Sequence, residues 1–571
     1  MLQVIRWSID STSNSPLPYA ASIHIIDNDS LLNIFSLYQP PILDGDEDDN
    51  LRILGGRAWV HDRWWYKLAQ VCRRWRNLIF QSPVHLGLCL LCTCGTPVAE
   101  MLARSPPLPL VIDYSFKDWE VTIEEEEAII LALIQRNRVR RVRLQMAVPN
   151  MQKLIMAIDE EYPILEHLII VPSAEDESTA LSLPGTFQAP HLRHLALKGL
   201  FLPIRSQLLS SAVDIVTLCL IMDHPFAYFQ PNTLLRWIST MPRLETLLVA
   251  FSFPVPNRTV GTQLMLTPIM THITSPNLRS FVFRGVSAYL EAVVHRFTTP
   301  RLEKLDIQFP QQLTFAVPRL VQFMNTTESL RVKFACVKFK FSLDEVSVKV
   351  YPHEVEMYAL STVIRCMHLD WQLSSVTQIF NSLSQIFSTV EHLTLEHEVH
   401  SWSSEEHNEV DPTEWRKLLR SFSNTKTLCV NDGLVKELSR SLRLDDGEHP
   451  LELLPELVEL TYSGSGDTGD AFTSFIDARQ NAGRPVTLAR PSPLLPATRP
   501  AGMRKAPKRY SCDICGKIYT RPQEISRHFL NVHNRHSCLV CDFKWSRLCQ
   551  YRIHLEKSHP EVDPDKVLRA P

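Results

Sequence analysis

One phrase recurs along the middle of the chain and limits what that region can become. It reads Pro-x-Leu-x-x-(Leu or Phe)-x-apolar, with copies at Pro163 (Leu165, Leu168, Ile170), Pro190 (Leu192, Leu195, Leu197) and Pro242 (Leu244, Leu247, Val249). Further copies stand at Pro276 (Leu278, Phe281, Phe283), Pro300 (Leu302, Leu305, Ile307) and Pro455 (Leu457, Leu460, Tyr462). Looser ones lie near Ile215, Leu393 and Leu428. From Leu165 to Leu302, counting Ile215, the steps are 27, 23, 29, 34 and 24 residues. A Leu-x-x-Leu-x-Leu run puts alternate side chains on one face of a short strand. The residues between copies suffice to return as a helix or loop. A unit this small cannot bury its apolar face alone, so such units must stack on one another.

This phrase resembles an irregular leucine-rich repeat, lacking the asparagine ladder of regular ones. The resemblance implies a solenoid over residues 89–490, closing with a helix and a last strand in Ala471–Arg490. It also implies a concave strand face suited to holding a protein target. Residues 491–508, with Pro491, Pro493, Pro496, Pro500 and Pro507, read as a flexible linker.

The C-terminus carries a second pattern, Cys512-x2-Cys515-x12-His528-x4-His533 followed by Cys538-x2-Cys541-x12-His554-x4-His559. Two cysteines three apart fit a tight hairpin, and two histidines five apart lie near one face of a helix end. Together they close a tetrahedron around zinc. So small a unit needs the metal to fold. Tyr519 and Ile525, then Trp545 and Tyr551, stand at matching offsets as a small apolar framework.

This stretch resembles the C₂H₂ zinc-finger family. The resemblance implies two structural zinc ions in two ββα units, residues 509–535 and 536–561. It implies a helix in the DNA major groove, read from helix positions −1, 3 and 6. Those positions are Arg521, Glu524 and Arg527 in the first unit, and Arg547, Gln550 and Ile553 in the second. Arginine pairs with guanine, Glu with cytosine and Gln with adenine, so the first unit fits a G-C-G-like triplet. The junction Asn534–Ser537 is shorter than the usual linker, and His536 replaces the usual aromatic. These departures weaken the joint reading of one groove; DNA is the partner the resemblance implies, with RNA or protein as alternatives.

Around residues 23–88 the pattern changes again. Leu31-Leu32-x-Ile34-Phe35 predicts a short amphipathic helix capped by Asp29 or Ser30. After an acidic stretch (Asp44 to Asp49), Leu68 to Ile79 predicts a second helix ending near Ser82-Pro83. The words Leu32-x-Ile34-Phe35 and Val71-Cys72-Arg73-x-Trp75 resemble an F-box, with a long insertion between Tyr38 and Trp64. That family docks an apolar helical face onto the linker subunit of a cullin-type ubiquitin ligase. Here the face would comprise Leu32, Ile34, Phe35, Leu68, Val71 and Trp75.

Composition adds boundaries. Residues 501–571 hold 14 Lys/Arg and 7 Asp/Glu, so with −3 overall the rest of the chain carries −10. Nucleic-acid contact, if any, belongs to the basic tail. No run of eighteen apolar residues occurs and no secretory signal opens the chain, which predicts an intracellular protein, nuclear or cytoplasmic, without a membrane contact. Cys89, Cys92 and Cys94, together with Cys219, Cys366 and Cys429, read as small core residues of a reducing compartment.

Enzyme signatures are missing. Gly464-x-Gly466-x-x-Gly469 lacks the acidic ribose partner and carries Asp467 and Asp470 against a pyrophosphate. His397-Glu398-x-His400 is one residue too short for a metalloprotease helix. The chain thus reads as a multidomain α/β, non-enzymatic protein: a disordered N-terminus (1–22), F-box-like helices, a solenoid, a linker, two fingers and a disordered tail (562–571). Two other readings fit: a zinc-finger regulator whose body is only an interaction domain, and two neighbouring genes joined as one sequence.

Overall fold

The computed structural model describes residues 26–38, 64–83, 85–115, 121–172, 181–203, 206–223, 227–252, 272–310, 312–331, 334–352, 357–398, 411–443, 451–463 and 471–489, with four strand pieces between 510 and 545. Two compact units divide the chain, Met1–Pro491 and Ser492–Pro571. Among the described residues are fifteen α-helices, and none is long and apolar enough to cross a membrane.

The first unit is mixed α/β around one sixteen-stranded, mostly parallel sheet. Its order begins Leu90–Cys92, Leu110–Ser115, Val139–Met146, His167–Pro172, His194–Lys198, Thr217–Met222, Thr246–Phe251, Ser280–Arg284 and Lys304–Pro310, following the chain. Each step is parallel, and the register is kept by the repeated phrase. Leu168, Leu195, Leu218, Leu247, Phe281 and Leu305 stand at one level on successive strands. Two residues on, Ile170, Leu197, Leu220, Val249, Phe283 and Ile307 form the next level. All twelve are buried and share one core with helix residues such as Leu154, Leu235, Leu290 and Phe323. A one-residue slip would turn every one of them to the other face, which is why the alternation fixes the register.

Charge reinforces that register. At the starts of these strands, residues Arg140, Glu166, Arg193, Glu245, Arg279 and Glu303 line up, joined by backbone hydrogen bonds from one to the next through Val216. Arg140 pairs with Glu166 at 2.9 Å and Arg279 with Glu303 at 3.4 Å. Helix starts are likewise written locally. Proline opens the helices Pro231–Ser239, Pro318–Thr326 and Pro412–Arg420, where its missing N–H costs nothing. Thr122 and Glu125 make a reciprocal capping box for Ile123–Leu133.

The order then breaks. After Lys304–Pro310 the next neighbours are Leu360–Arg365, Glu345–Pro352 and Phe334–Phe341, in reverse chain order, before His392–His397, Thr427–Asn431, Glu459–Ser463 and Thr487–Ala489 resume. Glu345–Pro352 runs antiparallel to both its neighbours, so one strand of the sheet is inverted. The cause is a tight hairpin at Ser342–Asp344, where the Ser342 N–H donates to the Glu345 carbonyl at 2.9 Å. Val346, Val348 and Val350 alternate with Glu345, Ser347 and Lys349, so this strand buries one face like its neighbours. The repeat phrase is missing between Pro300 and Leu393, the stretch in which the sheet departs from simple stacking.

At the N-terminal end, three helices differ from the expected two. Asn28–Leu37 is capped by Asp27, whose carboxylate accepts from the Ser30 N–H at 2.8 Å and the Ser30 hydroxyl at 2.7 Å, so neither Asp29 nor Ser30 is the cap. The expected single helix over 68–79 is two, Trp64–Ala69 and Arg73–Gln81. Cys72 adopts extended backbone between them and its sulfur accepts from the Trp75 N–H at 3.4 Å, restarting the helix. Leu31, Phe35, Trp65 and Ile79 join the same core as the sheet.

In the second unit, Tyr510–Ser511 pairs antiparallel with Ile518–Tyr519, and His536–Ser537 with Lys544–Trp545. The N-terminus (1–22) and tail (562–571) expected to be disordered, the expected linker (491–508) and the glycine motif 464–469 lie outside the described residues.

Candidate functional site

Strand alternation gives the sheet a second face, and its packing differs from the first. Val171, Ala196, Cys219, Ile221, Leu248, Ala250 and Val282 form a separate buried cluster, with Ile169 packed against it. Every member lies on a strand, and no helical side chain joins it among the described residues. Cys219 sits at its centre, fully buried, and burial pushes its thiol up to about 12, so it behaves as a small apolar residue.

Polar groups flank this strip. Below it, the imidazoles of His167 and His194 stack at 4.3 Å with 11° between planes. Burial, then the neighbouring His194 and Arg141, hold His167 down to about 2, and burial with Arg193 also lowers His194. Both rings are therefore neutral at physiological pH. On the far side the strip gives way to Asp306, which is 8% exposed. Its carboxyl accepts from the Tyr358 hydroxyl at 3.4 Å, and burial raises it above the usual carboxylate range against the pull of Lys304. The ammonium groups of Lys304 and Lys349 lie 4.5 and 4.9 Å from the same Tyr358 ring. Beyond the inverted strand the face is charged, with Lys338 paired to Glu396 at 2.8 Å and Lys340 to Glu398 at 3.2 Å. One face of one sheet thus changes from apolar to ionic along its length.

The residues expected to dock the ligase linker subunit divide by burial. Phe35 and Leu68 are in the core, with Leu32 and Trp75 packed against it, and the Phe35 and Trp75 rings are 4.7 Å apart. Ile34 and Val71 are exposed, at 37% and 58%. Leu37 and Tyr38, which sequence reasoning passed over, are more exposed still. The i, i+3, i+4 spacing of Ile34, Leu37 and Tyr38 was the signal that could have found them.

The eight predicted zinc ligands and the six base-reading candidates (Arg521, Glu524, Arg527, Arg547, Gln550 and Ile553) lie outside the described residues. The hairpins that flank the cysteines are described. Ser511 pairs with Ile518 and Ser537 with Lys544, so the strand pairs on either side of each Cys-x2-Cys are in the same register, and the residues between them lie outside the described ones. A sulfur pair and a nitrogen pair are the donor set of structural zinc.

Two expected core cysteines are not core. Cys94 and Cys429 are exposed, whereas Cys89, Cys92, Cys219 and Cys366 are buried. Cys429 lies on the strand Thr427–Asn431 at the ionic end of the second face, where helices do not cover it, and Cys94 follows the end of its strand. His397 ends a strand, and Glu398 bonds Lys340, so no metalloprotease helix forms there. No family model matches the chain, and no curated protein is detectably similar to it.

Proposed function

We propose that the chain is a non-enzymatic, zinc-binding adaptor with a leucine-rich-repeat-like body. The N-terminal helices dock a ubiquitin-ligase linker subunit, the body holds a protein target, and two C-terminal zinc fingers contact nucleic acid. The observation that carries this reading is a long sheet packed by helices on one face and lined by strand residues alone on the other. Such an arrangement offers a large ready-made surface for a partner.

The docking face in this proposal is Ile34, Leu37, Tyr38 and Val71, because these side chains are exposed. Linker-subunit capture by wild type and by an Ile34→Asp/Val71→Asp variant tests it. Wild type should capture at least tenfold more; equal capture ends the adaptor reading.

A second reading is favoured by the two antiparallel strand pairs that flank the Cys-x2-Cys spacings in the same register: a zinc-finger regulator whose body is an interaction domain. Metal analysis should give two zinc per chain and one for Cys512→Ser, expected because each site is independent. Selection from random DNA should enrich a G-rich core that Arg521→Ala and Arg527→Ala relax, since each arginine–guanine pair supplies about 1–3 kcal/mol of discrimination.

A further inference from the structure

Burial holds the guanidinium groups of Arg138, Arg284 and Arg479 below their usual range. Backbone carbonyls compensate two of them. Arg138 donates to Pro106 and Leu108 at 3.3 and 3.0 Å, and Arg479 donates to Leu453, Leu454, Pro455 and Leu457 at distances between 3.0 and 3.5 Å. Arg284 is different. Among the described residues its guanidinium makes no hydrogen bond and no ion pair. A cation drawn partly out of water without a partner is costly, so this position carries an electrostatic demand that the chain itself does not meet.

Its surroundings say what would meet it. Arg284 ends the strand Ser280–Arg284 on the second sheet face, where the apolar strip gives way to charge. It stands directly opposite Ala250 on one side and Gln308 on the other. Gln308 is half-buried like Arg284, and its side-chain amide also makes no hydrogen bond among the described residues. Neither side chain has a polar atom sealed from solvent, so both offer reachable donors. The acids whose charge reaches Arg284 are committed elsewhere: Asp223 pairs with Lys198 at 3.5 Å and Glu345 with Arg365 at 3.4 Å. Asp306, on the next strand, accepts from the Tyr358 hydroxyl and is flanked by Lys304 and Lys349. On this face between the strands His194–Lys198 and Glu345–Pro352, the described cations Lys198, Arg284, Lys304, Lys349 and Arg365 therefore outnumber the acids Asp223, Asp306 and Glu345.

We infer that Arg284, with Gln308 beside it, anchors an aspartate or glutamate side chain of the protein target held by the body. The inference rests on the reading of the body as the target-binding part, and names the group that this part grips. A guanidinium gives a carboxylate two parallel N–H bonds, and the Gln308 amide supplies a further donor. A carboxylate also matches the single free cation in charge. A phosphate group brings about −1.5 to −2, and the cations Lys198 and Arg365 are already paired.

Selection of displayed random dodecapeptides on the full-length chain tests this, followed by affinity measurement of the enriched peptides. The expected consensus contains Asp or Glu. Arg284→Gln should weaken those peptides about tenfold or more, and Gln308→Ala about threefold. Selection repeated on Arg284→Glu should exchange the acidic position for Lys or Arg, a result that a structural role for Arg284 would not give. Because the guanidinium has no partner to lose, Arg284→Gln should leave the urea unfolding midpoint equal or higher. Enriched peptides that bind Arg284→Gln as tightly as wild type, or a midpoint lowered by that substitution, would overturn the inference and leave the body as the target-binding part. Failure of any peptide to enrich would overturn that reading together with the inference.

Discussion

The two faces of the large sheet are made by the same strands yet obey different rules. Leu247 and Leu248 are consecutive residues and both are buried, at 0% and 2% exposure. Leu247 belongs to the core that strands and helices share, whereas Leu248 belongs to a cluster of strand side chains alone. The first face is therefore fixed by volume: its side chains interlock with helices and cannot change without leaving a hole. The second is fixed by its neighbours within the sheet, and can shift from Leu248 and Val282 to Asp306, Lys349 and Lys338 along its length. Packing tolerates little variety, and surface-facing positions tolerate much. That is how one scaffold can keep its shape while its binding chemistry changes.

Four changes would break or sharpen this contrast. The largest is Leu247→Ala, expected to cost about 2–5 kcal/mol because helices on the far side cannot close the cavity. Urea unfolding should show it as a lower midpoint with unchanged slope. Next, Leu248→Ala should cost less, near the lower end of that range at about 2 kcal/mol, since its partners are strand side chains that can relax; a cost equal to that of Leu247→Ala would make both faces core.

Acid should act through the stacked histidines. His167 is held far below its unfolded value of 6.5, so its neutral form stabilises the fold above that pH, and stability falls as pH drops from about 6.5 toward 2. The loss is up to about 1.4 kcal/mol per pH unit for one such group. His167→Gln should flatten the stability profile between pH 6 and pH 4. An unchanged profile would mean that the stack opens to water. Smallest is the Lys338–Glu396 pair on the ionic part of the second face. A double-mutant cycle should give about 0.2–1 kcal/mol, reduced by salt, because both groups are about a third exposed.

Much of the body was legible before any coordinates. The repeated phrase placed Leu168, Leu195, Leu247, Phe281 and Leu305 on strands with their apolar sides inward, because alternation leaves a strand no other way to bury them. The prolines that open Pro231–Ser239, Pro318–Thr326 and Pro412–Arg420 are an equally local signal, one the sequence reading did not use. What failed was local too, but ambiguous. Asp27, Asp29 and Ser30 are all good caps, and only the backbone conformation selects Asp27. Cys72 interrupts a pattern that reads as one helix, because an extended residue in the middle leaves the apolar spacing almost unchanged. Cys429, between Leu428 and Val430, has an apolar setting like that of Cys219 between Leu218 and Leu220, but one lies on the exposed ionic stretch and the other in the centre of the strip.

The sequence by itself determined the period, the strands and the face each strand buries, and it spelled out the Cys-x2-Cys and His-x4-His spacings of the tail. These depend on side-chain order within ten residues. The tertiary structure alone decided the inverted strand Glu345–Pro352, the tie from Gln372 to the carbonyls of Ser342 and Cys366, and which N-terminal apolar residues remain exposed. Each of those depends on groups distant in the chain competing for one neighbour. A sequence records the competitors, and only packing selects the winner.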